Sequence, residues 1–209
     1  MKRKITLITA TALLFLGGTN TANAQVEQGS IIIDPYVGAP TWNVWWSSVT
    51  DTNIDGYKTA GSPVSFGGRF EYMVADNFGI GLDANYAPAG FQYNEDNPHD
   101  TINDIQEFKF LSTRFRIMLR LNYHFVQTEN LDAYVGFGAG YRQVTRRVFY
   151  DGVDYTEESG FGLLNGSSMP VAVRLAIGAR YYFHPNIGLN VEMGTSGGGL
   201  IQGGVSVKF

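Results

Sequence analysis

The stretch VAVRLAIGARYYFHPNIGLNVEMG, residues 171–194, decides the fold. Every second residue of its first part is apolar: Val171, Val173, Leu175, Ile177, Ala179, Tyr181 and Phe183, with Arg174, Gly178, Arg180 and His184 on the other parity. Past Pro185-Asn186, Ile187, Leu189, Val191 and Met193 alternate with Gly188, Asn190, Glu192 and Gly194. A strand sends successive side chains to opposite faces, so a period of two over this length predicts two strands joined by a tight turn, each with one greasy and one polar face.

The same pattern extends in both directions. Val64, Phe66, Gly68, Phe70, Tyr72 and Val74 oppose Ser65, Gly67, Arg69, Glu71 and Met73, and after Asp76-Asn77 the set Phe78, Ile80, Leu82, Ala84, Tyr86 opposes Gly79, Gly81, Asp83, Asn85. Leu111 to Phe125 places Phe115, Ile117, Leu119, Leu121 and Tyr123 against Arg114, Arg116, Met118, Arg120, Asn122 and His124. Val135, Phe137, Ala139 and Tyr141 face away from Gly136, Gly138, Gly140 and Arg142, and Ile201, Val205, Val207 and Phe209 from Gln202, Gly204, Ser206 and Lys208. No charged residue falls on the apolar parity of these seven segments. A first strand from about Ile31 to Trp42 is less regular. Ile33, Val37 and Ala39 share a face opposite Asp34 and Gly38, and Pro35 and Pro40 cannot donate to a ladder, so Pro40 is read as a bulge or an early strand end. That makes eight strands.

Connections alternate in length. They are short at Asp76-Asn77, Gln127 to Leu131 and Pro185-Asn186, and long at Ser47 to Pro63, Asn94 to Glu107 and Asp151 to Ser167; only the hairpin near Ser196 to Gly199 departs from the rule. Short turns on one rim and long loops on the other are the habit of an outer-membrane barrel. The amino terminus agrees: Lys2, Arg3 and Lys4 precede an apolar run, Ile5 to Leu16, and then Ala22-Asn23-Ala24, the form of an export signal cleaved after residue 24. The run is shorter than the roughly 20 residues a membrane helix needs. Residues 1–24 are thus expected to be a cleaved signal peptide and 25–209 one barrel domain. Cysteine is absent, so neither a disulfide nor a lipid-modified cysteine holds the domain together. The net charge of −4, more acidic once the leader is removed, disfavours a nucleic-acid partner.

Alternation alone fits a soluble barrel with an apolar interior as well. Two features favour the inverted arrangement. Glycine concentrates on the polar parity, where a narrow cylinder needs space for long arginines. Aromatic residues collect at strand ends on the apolar parity, with Tyr72, Phe78, Tyr123, Phe125, Tyr181, Phe183 and Phe209 at one rim and Trp42, Trp45, Trp46, Tyr86 and Tyr141 as the other girdle. The expected fold is an all-β, eight-stranded antiparallel up-and-down transmembrane barrel. The runs GARYYFHPNIGLNVEMG (178–194), GFGAGYR (136–142) and the terminal GVSVKF are similar to the outer-membrane β-barrel family that includes the small OmpA/OmpX-type barrels. That resemblance implies a bacterial outer-membrane location and insertion by the barrel-assembly machinery, whose signal Phe209, with Val207 and Val205, matches. It implies no activity.

On this reading the lumen holds Arg69, Arg114, Arg116, Arg120, Arg142, Arg174 and Arg180 against Asp34, Glu71, Asp83 and Glu192. Buried charges must be paired, so the set is expected to interlock as a plug; an arginine-lined channel for anions or small solutes is the alternative. The loops are acidic, with Glu95, Asp96, Asp100, Asp104 and Glu107 in one and Asp151, Asp154, Glu157 and Glu158 in another. Their spacing is not that of a calcium loop, so solvated display surfaces are expected and no metal or cofactor. A lipid-A-modifying enzyme needs a nucleophile, base and acid near a rim; His99 with Asp96 and Ser112 is a grouping no motif supports. The expectation is a non-enzymatic structural and interaction barrel, surrounded by outer-membrane lipid and lipopolysaccharide, with an extracellular ligand at the loops.

Overall fold

A computed structural model describes residues 26–39, 58–62, 64–96, 105–157, 160, 170–195 and 199–209. The signal segment, Pro40, the three tryptophans, His99 and the acidic loop residues Asp100, Asp104 and Glu158 lie outside the described residues. The described residues form ten strands: β1 (Ile31–Ala39), β2 (Lys58–Gly61), β3 (Ser65–Ala75), β4 (Phe78–Asp96), β5 (Ile105–Gln127), β6 (Leu131–Tyr150), β7 (Val153–Asp154), β8 (Val171–His184), β9 (Ile187–Thr195) and β10 (Ile201–Lys208). Eight of them form a ring of antiparallel neighbours in the order β1, β3, β4, β5, β6, β8, β9, β10, and β10 pairs back to β1. The two short strands lie off the ring, β2 on the outer part of β4 and β7 on that of β6.

The ring closes with a stagger. From Ile31 the register runs through Tyr72, Ile80, Leu121, Phe137, Leu175 and Thr195. It arrives beside Leu200, which donates to the Ala39 carbonyl at 3.2 Å, at the far end of the strand where it began. Such an offset is the tilt that closing a twisted sheet demands.

Burial shows which way the faces point. In β9 Ile187, Leu189, Val191 and Met193 are exposed, while Gly188, Asn190, Glu192 and Gly194 are buried. Leu119 is 64% exposed and Arg180 0%. A soluble barrel would read the opposite way, because the hydrophobic effect would turn the leucines inward; here the apolar parity of every ring strand faces outward and the charges face the axis. Exposed Tyr72, Tyr123, Tyr181 and Phe183 ring the short-turn rim, and Phe66, Tyr86, Phe115 and Tyr141 ring the other. From Phe78 to Tyr86, at about 3.3 Å per residue and a tilt near 45°, the band between them rises roughly 19 Å before the rings add their own width.

The outer end of the expected first strand, Pro40 to Trp42, lies outside the described residues. Two other boundaries differ. Both described ends of the segment Asn94 to Glu107, expected to be a loop, are strand, since β4 and β5 stay paired from Phe78↔Tyr123 out to Asp96↔Ile105, and within the expected loop Asp151 to Ser167 the short β7 pairs with the end of β6. Above the apolar band β4, β5 and β6 continue as a ribbon, whose inward parity becomes apolar at Phe91, Phe110 and Val148.

Lumen glycines make room for large side chains. A Cβ at Gly178 would strike the ring of Tyr134, and one at Gly67 the ring of Tyr36. Gly68, on the lipid-facing parity, has open space around it. Gly178→Leu is therefore expected to overpack the cylinder and destabilise it by about 1–3 kcal/mol or more, lowering the temperature of the folded-to-unfolded gel shift, while Gly68→Leu leaves that temperature nearly unchanged.

Candidate functional site

The lumen is where alternation forces chemistry, because every second residue of eight strands is delivered to one narrow axis. Glu192 on β9 accepts from Arg120 through both oxygens, at 3.1 and 2.8 Å, from Arg174 Nε at 3.0 Å and from the Tyr134 hydroxyl at 3.0 Å, and it also pairs with Arg69. Arg120 reaches Asp83 at 3.3 Å, and Asp83 accepts from the Tyr36 hydroxyl at 2.6 Å. Towards the short-turn rim Arg180 bridges three carboxylates: Asp34 at 2.9 Å, Glu71 at 2.6 Å and Asp132 at 2.8 Å. His124 sits between Asp132, at 2.6 Å, and Glu71, at 3.0 Å, so its two ring nitrogens serve both carboxylates only as imidazolium. Arg69 stacks over Tyr36 and Arg180 over Tyr134, and Arg69 also donates to Asn190 at 2.9 Å.

Four arginines and one histidine thus meet five carboxylates in one network. A buried charge costs several kcal/mol unless it is paired and hydrogen-bonded, and here almost every oxygen has a donor. Asp34 takes Arg180 and the Ser206 hydroxyl, and Glu71 takes Arg180, His124 and Asn122. An apolar cluster lies towards the short-turn rim. Val26 is buried with Ile32, Met73 and Tyr182, and its carbonyl accepts from the Gln127 amide at 3.2 Å.

Asp34, Arg69, Glu71, Asp83, Arg120, Arg174, Arg180 and Glu192 come together in this network. Arg114, Arg116 and Arg142 stand one level further out, with Arg116 facing Arg142 across the β5–β6 ladder. Asp132 and His124 were not counted as members by sequence. Their signal was parity: Asp132 shares a face with Gly136, and His124 with Arg120. Val205 and Phe209 are exposed on the lipid-facing side and Val207 is half-buried; Phe209 exchanges backbone hydrogen bonds with Ile31 at 3.1 and 2.8 Å, at the seam where the ring closes.

A packed charge network inside an inverted barrel defines the class, an integral outer-membrane β-barrel. The model of the outer membrane protein beta-barrel domain matches residues 9–208, and the chain belongs to that family; it is a bacterial outer-membrane protein. Among solved structures, it is similar to the outer membrane protein OprG from Pseudomonas aeruginosa, at 18% identity and a TM-score of 0.47 over 90% of this chain and 99% of that one. It is also similar to the N-terminal β-barrel domain of OprF from the same organism, at 14% identity and 0.42 over 88% and 99%. The neisserial surface protein A is similar at 14% identity and 0.40 over 87% and 98%. No curated protein matches the chain.

Glu192 joins three arginines, so Glu192→Ala leaves Arg69, Arg120 and Arg174 short of an acceptor inside the barrel. We expect a loss of about 3–5 kcal/mol in urea unfolding from lipid vesicles. Glu129→Ala, at the exposed turn, is expected to stay within about 0.5 kcal/mol.

Proposed function

We propose that this barrel is a structural and surface-interaction protein rather than an open pore: a rigid anchor that strengthens the envelope and presents its outer ribbon and acidic loops for adhesion or recognition. The observation that carries the reading is the filled lumen. Arg120, Arg174 and Arg69 converge on one carboxylate, Arg180 ties three more, and the Val26 cluster sits below them. Ion passage through the axis requires breaking several of these pairs at once, each in a medium where a lone charge is costly. The ribbon of β4, β5 and β6 beyond Tyr86 supplies a stiff platform, and loops carried on a rigid scaffold are where recognition concentrates. No step of this role needs a nucleophile, a cofactor or a nucleic acid.

In a planar bilayer the purified barrel is expected to show no steady single-channel openings, and Arg120→Ala with Glu192→Ala to admit transient ones. Steady openings of the unmodified protein would establish the channel reading instead. Incubation with lipid A is expected to leave its mass unchanged; a lost or gained acyl chain would reveal an enzyme.

We propose further that the barrel-assembly machinery reads Phe209 together with Val205 and Val207, and that lipid and lipopolysaccharide meet the aromatic rims. Removing Phe209 is expected to lower the amount recovered folded in outer-membrane fractions severalfold, whereas Lys208→Gln leaves it unchanged. Equal recovery of both variants would refute the assignment.

A further inference from the structure

The lipid-facing surface is not evenly rounded. Across β6, β8 and β9 the ladder registers set two rows of outward side chains side by side, Val135, Ile177 and Met193 in one and Phe137, Leu175 and Thr195 in the other. Between the rows lies a groove of about 630 Å³, floored by Gly136, Ala176 and Gly194. It starts beside Phe78 and Tyr123 at the short-turn rim and ends beside Leu200, just before β10, towards the outer rim. The rows follow the hydrogen bonds of tilted strands, so the groove climbs obliquely through the apolar band. From β4 to β9 it crosses four strand spacings of about 4.8 Å, a run of roughly 19 Å. The rows stand two residues apart, about 6.6 Å along a strand, which admits one unbranched chain and not a broad planar ring system.

Every lining residue is uncharged, and the only polar side-chain groups among them are the hydroxyls of Tyr123 and Thr195, near opposite ends. The wall behind the groove is one backbone thick. On its lumen side the Arg120 guanidinium packs against Gly136 and that of Arg174 against Gly194, so closely that a Cβ at either glycine would collide with it.

Water is a poor occupant of such a groove, because a site needs several polar partners to hold it, and an empty groove forfeits the dispersion contacts of its lining. A hydrocarbon chain meets both conditions. The surroundings supply one, since this face of an outer-membrane barrel meets the bilayer. Short turns face the periplasm, so the Tyr123 end opens into the phospholipid leaflet, with a tyrosine at the depth of the headgroups. Lipopolysaccharide would enter from the opposite rim, where its phosphates call for cations and the lining offers Thr195 and Leu200. We propose that the groove is a binding site for one acyl chain of a phospholipid from the periplasmic leaflet, with the headgroup beside Tyr123 and the chain lying over Gly136, Ala176 and Gly194. The bound chain completes the apolar belt and keeps water off the thin wall behind which Arg120 and Arg174 hold Glu192.

The test offers the full mature barrel, purified in detergent, equal amounts of dipalmitoyl phosphatidylethanolamine and lipid A, and reads what stays bound by native mass spectrometry. One phospholipid per barrel is expected to be retained, and a dioctanoyl analogue, too short to run the groove, about tenfold less or lower still. Ile177→Trp lays a ring into the groove and is expected to cut retention about tenfold, whereas Leu82→Trp, on the lipid-facing parity of β4 outside the groove, leaves it unchanged. Both positions face lipid, so both variants are expected to fold, which the gel shift checks; Leu175→Trp intrudes from the facing row and is expected to repeat the effect of Ile177→Trp. Equal retention by the Ile177 and Leu82 variants would mean an unselective lipid shell and would overturn the proposal. Indifference of the unaltered protein to chain length would do the same, as would preference for lipid A, a second barrel bound in place of the lipid, or no lipid bound at all.

Discussion

Everything in this barrel follows from the need to neutralise charge where no water is available. Lipid outside removes the hydrophobic effect as a reason to bury leucine and valine, so the greasy parity faces outward and the polar parity is confined to the axis. There the arginines and carboxylates pair with one another and with the hydroxyl and amide groups of Tyr36, Tyr134, Ser206, Asn122 and Asn190. The result is a core made of ion pairs and ring stacking, in which Arg180 and Glu192 are each held by three or more partners. Glycine at Gly67 and Gly178 is the complement of that core, since the rings of Tyr36 and Tyr134 occupy the volume a side chain there would need.

The network also divides the molecule. Towards the short-turn rim, acid and base are matched and the apolar Val26 cluster lies at that end. Towards the outer rim, basic residues lie in excess and the strands continue beyond the membrane as a ribbon with an aromatic inner face. The paired charges and the outer ribbon therefore occupy opposite halves of one cylinder.

The ring strands were legible because lipid and lumen impose opposite preferences on neighbouring residues, and seven segments record that contrast without a charged exception. Where the surroundings change, the pattern changes phase. Past Tyr86 the outer face of β4 meets water, so the aromatic residues move to the other parity at Phe91 and Tyr93, and a reader following the first phase sees a loop. Asp132 and His124 are harder to assign to the network for a related reason: they lie near strand ends, where a turn can leave charge in solvent. Which arginines pair was not legible either. Parity assigns Arg116 and Arg120 to the same face, and only the tilt of the closed sheet sets one beside Glu192 and leaves the other above the carboxylates.

The partners of Asp34 lie far along the chain: Arg180 is 146 residues away and Ser206 is 172. Neither contact exists until the first and last strands of the ring have met, because an open sheet holds these groups apart and wet. Closure of the seam therefore completes the neutralisation of Asp34, whereas pairs such as Arg174–Glu192 and His124–Asp132 join strands that are already neighbours. The ladder between β1 and β10 is in that sense the clasp of the cylinder, holding one end of the chain against the other.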